Sequence, residues 1–503
     1  MEKESEGGMK MKRQPVAKPP EATGKMARGF FWTGLEFIGR QGVTFVIQIL
    51  LARLLVPDDF GLVGMLTIFI ALANVLIESG FQTWLLHEKA PSETDFSTVF
   101  FFNFSIALVL YGILFFIAPF VADFYQEPIL TKMLRLLGLL IVFAAFSIVQ
   151  RAQLTIKFDF RSQAIISTVA MALSGAFAIA GALAGLGVWS LVLQQVLNQL
   201  LQTILLTATN RWFPRLVFDI PAFKKMFSYS WKLLVSSLLD TVYQNGISVL
   251  VGKFFLGTTL GYYTNAQKMR DVAAMSVTNA VNKVSFPSLS RVKEDQEKLR
   301  KGFKEILSLS MFLTIPLMLG LAGCAYEVFE VLFGPKWLPA VPYFQIMCLS
   351  GVTYPLHMLN LVLLQIVGRT DSFLLLEIVK KILGFATLVS ALLLFKNVFI
   401  LICVTSGVDF LMIFINGVYT KGILDYSLKS QFRQIAKSAL AGGIMLVAIF
   451  SLNFLPVQWP AIVMLLSKVL VGAGVYLSCT YFFGVTEIKK IFFWVQGLKR
   501  QKV

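Results

Sequence analysis

The chain has 503 residues, 56% of them hydrophobic and 15% charged, and its mean hydropathy is +0.73. That balance excludes a soluble globular protein and points to an integral membrane protein, whose apolar runs can each cross about 30 Å of hydrocarbon as helix. The formal net charge of +17 collects in connections between those runs, where it reports topology, so no nucleic-acid partner is expected.

In chain order, residues 1–28 read as a disordered basic cytoplasmic tail. No apolar stretch precedes a small-residue cleavage site, so no removable signal peptide is expected. Six apolar spans follow, at 29–55, 60–80, 97–119, 129–149, 164–185 and 187–209, making an N-lobe over 29–209. A basic cytoplasmic linker, 210–228, leads to six more at 229–255, 262–286, 303–324, 340–366, 372–395 and 398–420, a C-lobe over 229–420. Among these, 262–286 is unusually polar, and 340–366 contains Pro342, Pro355 and His357. Two last spans, 435–455 and 460–483, lie with their preceding loop in 421–484, and a basic cytoplasmic tail covers 485–503. The expected fold class is an all-α polytopic membrane protein with about fourteen transmembrane helices, two pseudo-symmetric six-helix lobes plus two C-terminal helices. Alternate connections hold Arg151, Lys157 and Arg161, then Arg211, Arg215, Lys224 and Lys225, then the basic stretches 291–304 and 421–437. The rule that positive charge stays inside places these connections and both termini in the cytoplasm.

The two lobes read as a duplication. "LARLLVPDDFGLV" at 51–63 and "VGKFFLGTTLGYY" at 251–263 align at an offset of 200, Arg53 on Lys253, Pro57 on Gly257 and Gly61 on Gly261. Glu36, Arg40, Thr44 and Gln48 recur every four residues in the first helix, as Lys232, Ser236, Asp240, Gln244 and Ser248 do in the seventh, so each helix carries one polar stripe. The second helix adds Glu78, and the eighth adds Lys268, Arg270 and Asp271. Parallel repeats about an axis along the membrane normal enclose a central site, which helices one, two, seven and eight would line. A charge inside a span costs at least about 2.5–3.5 kcal/mol on insertion scales, so these side chains are expected to face a cavity or a partner. Glu36 and Arg40, one turn apart, can also neutralise each other.

Such a cavity suits an anionic sugar carrier. Arg40, Lys232, Lys268 and Arg270 supply charge for a phosphate or pyrophosphate, and Thr44, Gln48 and Gln244 supply hydroxyl and amide groups for a glycan. Glu36, Glu78, Asp240 and Asp271 are the candidates for a coupling proton or ion. Asp409 and Asn416 read as interhelical hydrogen-bonding groups, and the depth of Glu377, Lys380 and Lys381 depends on where the eleventh helix begins. Four scattered cysteines and two distant histidines give no metal-ligand spacing, so no metal, disulfide or cofactor is expected.

"FFWTGLEFIGRQGVTFVIQILLARLLVPDDFGLVG" at 30–64, "ESGFQTWLLHEK" at 78–89, "FDFRSQAIIS" at 158–167, "GLGVWSLVLQQ" at 185–195, "RWFPRLVFD" at 211–219 and "LFGPKWLPAVP" at 332–342 occur in that order. Together they resemble Wzx-type polysaccharide and O-antigen flippases of the multidrug/oligosaccharidyl-lipid/polysaccharide exporter (MOP) superfamily. The resemblance implies a central cavity with alternating access, a bacterial inner-membrane location, and transfer of an undecaprenyl-pyrophosphate-linked oligosaccharide from the cytoplasmic to the periplasmic face. It further implies membrane lipids, a polysaccharide polymerase and a chain-length regulator as partners. The family's basic cavity role carries over to Arg40, Lys232, Lys268 and Arg270, with Arg53 and Lys253 on the gate side. Two departures are Glu36 beside Arg40, and Asp240 at the duplicate position of Arg40. The competing reading is a proton- or sodium-coupled cation or drug antiporter of the same superfamily. Enzymatic activity is not expected, because the largest outward connection, 325–340, is too short for a catalytic domain.

Overall fold

A computed structural model describes residues 39, 41–78, 84–85, 88, 91–454, 456, 459–485 and 487. Glu36, Arg40 and most of both tails lie outside the described residues, as do the side chains of Glu78 and Lys232.

Helix starts are written locally as caps. Ser92 and Asp95 form a reciprocal capping box, Ser92 Oγ accepting from Asp95 N at 3.1 Å and Asp95 Oδ2 from Ser92 N at 2.8 Å. Asp159, Asp219, Asp295, Asn397 and Ser427 cap five further helices through their side-chain oxygens. The helices in chain order are α1 (Gln41–Leu54), α2 (Pro57–Glu78), α3 (Glu93–Tyr125), α4 (Ile129–Leu137), α5 (Leu139–Ile156), α6 (Phe160–Leu183) and α7 (Trp189–Asn210). They continue with α8 (Ile220–Phe254), α9 (Gly257–Ser290), α10 (Gln296–Gly323), α11 (Ala325–Leu332), a 3-10 turn (Pro335–Ala340), α12 (Val341–Gly351) and α13 (Tyr354–Ile366). The last four are α14 (Thr370–Phe395), α15 (Val398–Leu424), α16 (Leu428–Ser451) and α17 (Ala461–Phe482).

Among the described residues ten helices are long and apolar enough to cross a membrane, or eleven if a bent pair counts as one span. The protein is thus a multi-pass, all-α membrane protein. The bent pair is the segment expected at 340–366, which turns by 41° between α12 and α13, where Pro355 occupies the first turn of α13. α8 and α9 have 35 and 34 residues, ample length for a span, but their polar residues dilute the hydropathy. α1 is described only from Gln41. Length and composition therefore do not fix the number of spans at fourteen.

α2 packs against α8 and α9, joining the first helical group to the second, while α6 packs on α7, α14 on α15, and α16 on both α17 and α10. The last helix is pinned by charge as well as by apolar contact. Lys468 of α17 lies 2.5 Å from Glu327 Oε1 of α11, with 1% of its side chain exposed.

Candidate functional site

The two lobes meet where α2 and α9 cross as bare backbone. A Cβ on Gly61 would sit 1.9 Å from the Gly257 carbonyl oxygen, and one on Gly261 would sit 1.9 Å from the Pro57 oxygen. Only glycine permits that approach. The contact is reciprocal at the offset of 200 residues that relates the repeats. Trp337, fully buried, fits beside the crossing, its ring 5.1 Å from Phe60 of α2 and 6.1 Å from Tyr262 of α9.

Cations fasten the same end of the molecule. Arg53, at the end of α1, donates from Nε to the Leu332 carbonyl at 2.8 Å and from Nη2 to the Val331 carbonyl. Lys336 donates back to the carbonyls of Arg53 at 2.7 Å and Leu55 at 2.6 Å, and Trp337 Nε1 donates to the Ala52 carbonyl at 2.8 Å. Lys253, at the end of α8, donates to the Phe124 carbonyl of α3. Each cation therefore satisfies carbonyls left open at a helix C-terminus, where the helix dipole also favours positive charge.

Gly64 of α2 faces Leu260 and Thr264 of α9, and Gln48 of α1 donates to Asn265 Oδ1 at 3.4 Å. One turn beyond Thr264, Lys268 lies on the same helix face, hemmed in by protein yet reached by solvent, as in a cleft. No described residue forms a hydrogen bond or ion pair with it. Thr44 is half-buried on α1.

Arg270 points elsewhere, because residues two apart on a helix face nearly opposite ways. Together with Asp271, Asp240 and Gln244 it lines a cavity of about 420 Å³ inside the C-lobe, between α8, α9 and α12–α15. The structure thus separates two sets of side chains: Lys268 and Gln48 at the lobe interface, and Asp240, Gln244, Arg270 and Asp271 in the C-lobe cavity. Glu377, Lys380, Lys381, Asp409 and His357 complete the second set. α14 begins at Thr370, so Glu377 to Lys381 stand two to three turns inside the helix.

Every cation in this cavity has a carboxylate partner. Arg270 Nε and Nη2 donate to Asp271 Oδ1 at 2.9 and 2.6 Å, and Lys380 lies 3.0 Å from Asp409. Lys381 pairs with Asp240 and has Glu377 at 3.7 Å. His357 joins the network through both ring nitrogens, with Lys380 Nζ 3.3 Å from Nε2 and the Asn416 amide 2.7 Å from Nδ1. An ammonium can only donate, so Nε2 accepts and Nδ1 carries the proton. That tautomer needs an acceptor at Asn416, whose Oδ1 is otherwise buried without a partner. Turned with its oxygen toward the ring, the amide accepts the Nδ1 proton, and its Nδ2 takes the unpartnered position. Counting Arg270, Lys380 and Lys381 against Asp240, Asp271, Glu377 and Asp409 leaves one carboxylate in excess.

The model of a polysaccharide biosynthesis protein family matches residues 50–342, more than half of the chain and both sides of the crossing. The chain belongs to that family. The teichuronic acid biosynthesis protein TuaB of Bacillus subtilis is 26% identical over 70% of this chain and 73% of its own length. The succinoglycan biosynthesis transport protein ExoT of Rhizobium meliloti is 27% identical over 66% of this chain and 67% of its own. The lipopolysaccharide biosynthesis protein WzxC of Escherichia coli is 23% identical over 65% and 67% respectively. Among solved structures, the lipid II flippase MurJ in an inward closed conformation superposes with a TM-score of 0.72 at 15% identity, covering 90% of this chain and 98% of MurJ. An inward-facing multidrug resistance MATE transporter of the MOP superfamily gives 0.61 at 11% identity, covering 79% and 98%. These likenesses establish the fold, and the family agrees with the motif order in the sequence. This member of the polysaccharide biosynthesis family is a MOP-fold membrane protein.

Proposed function

We propose that this chain is a flippase that carries an undecaprenyl-pyrophosphate-linked oligosaccharide from the cytoplasmic to the periplasmic face of a bacterial inner membrane, with both termini in the cytoplasm. The observation that carries the reading is Lys268, a cation in the interlobe cleft with no hydrogen-bond or ion-pair partner among the described residues, beside a closure made of backbone and carbonyl-bound cations. An ammonium kept in a cleft and left unpaired is suited to an anionic headgroup. In this mechanism Arg40, Lys232 and Lys268 hold the pyrophosphate, Thr44 and Gln48 contact the sugars, and the lipid tail stays in the bilayer. The lobes then rock about the α2–α9 crossing as Arg53 and Lys253 release their carbonyls.

Arg270 and Gln244 act from the C-lobe cavity, where the excess carboxylate gives the cycle a place to take up a proton. Asp240 and Asp271 belong to that set, with Glu36 and Glu78 as further proton-coupling groups. The membrane potential can contribute about 2.3 kcal/mol per charge per 100 mV. A polymerase and a chain-length regulator would receive the product on the outer side, and the role is transport without catalysis. A cation antiporter is less well supported, since the cleft position read at Lys268 is basic.

The test is lectin accessibility of a lipid-linked oligosaccharide in proteoliposomes, comparing the native chain with Lys268→Ala at equal reconstitution. Translocation is expected to fall at least tenfold in the variant with abundance unchanged. Equal rates would remove Lys268 from the substrate path, and no translocation by the native chain would favour the antiporter.

A further inference from the structure

The connection between the lobes has two unlike sides. Residues 211–219 are not helical, and their inner side is fixed to the start of α3: Trp212 Nε1 donates to Glu93 Oε2 at 2.9 Å, and the amides of Arg215 and Asp219 donate to Ser97 Oγ and Thr98 Oγ1, each at 3.1 Å. Trp212 is buried against Phe96 and Phe100. The outer side is apolar and bare. Phe213 is 72% exposed, Leu216 91% and Ile220 58%.

That exposed edge runs straight into a stripe on α8, where Phe227, Val235 and Leu239 are also exposed at helical spacing. The stripe lies along a helix of spanning length, so the exposed edge of the linker is continuous with an apolar surface that can face lipid. Charge along the linker is one-sided. Nearby acids are already engaged: Asp159 and Asp219 cap helices, Glu93 holds Trp212, and Glu88 pairs with Lys225 at 3.0 Å. Arg211, Arg215 and Lys224 are exposed, and no described residue pairs with their side chains. Bulky apolar side chains flanked by uncompensated cations fit one environment, the interface of a bilayer containing anionic lipid.

We infer that residues 211–224 form a membrane-surface strap that inserts Phe213, Leu216 and Ile220 among acyl chains and gathers anionic phospholipid headgroups through Arg211, Arg215 and Lys224. This inference is independent of what the protein transports. The occupant is the lipid surface itself, since the apolar edge is continuous with the exposed stripe of α8 and the cations supply the complement to a lipid phosphate.

The test places a bimane fluorophore at position 216 through Leu216→Cys, and separately at 213 through Phe213→Cys, in a full-length chain whose four native cysteines are replaced. Each protein is reconstituted in mixed vesicles of phosphatidylglycerol and phosphatidylcholine, with bromine quencher on one lipid or the other at equal mole fraction. Both probes should be quenched, and brominated phosphatidylglycerol should quench at least about threefold more strongly than brominated phosphatidylcholine. Combining Arg211→Gln, Arg215→Gln and Lys224→Gln should abolish the difference while leaving quenching in place, because these exposed side chains support no packing. Absence of quenching by either lipid would overturn insertion, whether the strap lies in water or under another protein. Equal quenching by the two lipids in the native chain would overturn headgroup selection.

Discussion

Lys468 and Glu327 show what a single pair of residues can decide. With 1% and 7% of their side chains exposed, neither charge is solvated by water, so each depends on the other. Lys468→Met should therefore destabilise the protein by about 3–5 kcal/mol, while adding Glu327→Leu should recover most of the loss, because two apolar groups need no mutual neutralisation. Thermal unfolding of detergent-purified variants checks this, and a single variant as stable as the native chain would show that the pair holds nothing. The pair was not legible in the sequence, where Glu327 reads as an acid in a short outward connection and its partner lies 141 residues away. Lys380 and Lys381 were hidden for another reason. Their depth depends on the start of α14, and nothing before Thr370 marks that start as clearly as Ser92 and Asp95 mark α3. By contrast, Asp409 and Asn416 could be read as interhelical hydrogen-bonding groups because each stands well inside an apolar run, and both bond to α13 or α14.

At the scale of elements, apolar length predicted most helices and misjudged their ends. α8 starts at Ile220 rather than 229 because Asp219 caps it and Pro221 occupies its first turn, a local signal stronger than the polarity of the Lys224–Ser228 stretch. The run at 129–149 divides at Gly138, where a Cβ would come within 2.9 Å of the Tyr111 ring. The α2–α9 crossing gives the sharpest prediction. Gly261→Ala places a methyl against the Pro57 carbonyl, and overpacking of this kind costs about 1–3 kcal/mol against the closed arrangement. A cysteine introduced by Thr264→Cys, in a background without native cysteines, should then react about tenfold faster with an impermeant maleimide. Unchanged reactivity would mean that the crossing is not where the lobes close.

Over the whole molecule, closure rests on two distant cations that each reach the opposite lobe. Arg53 binds the carbonyls of Val331 and Leu332, and Lys253 that of Phe124. Arg53→Gln combined with Lys253→Gln should shift the population toward separation of the lobes at this end, since a hydrogen bond to a charged group is worth about 1.5–3 kcal/mol. Spin labels on the connections that follow α1 and α11 should report a longer distance distribution, and an unaltered distribution would exclude these cations from the closure. The duplication itself was legible as Arg53 over Lys253 and Gly61 over Gly261, because an offset of 200 survives in the residues near the crossing. What the sequence could not convey is that the two copies of the motif touch each other. Side chains that meet can drift together, one change answered by another, but a carbonyl oxygen has no alternative form to offer. Positions 53 and 253, and 57 and 257, differ between the two copies, whereas 61 and 261 are glycine in both, since the backbone of Gly257 stands against the one and the Pro57 carbonyl against the other and neither leaves room for a Cβ.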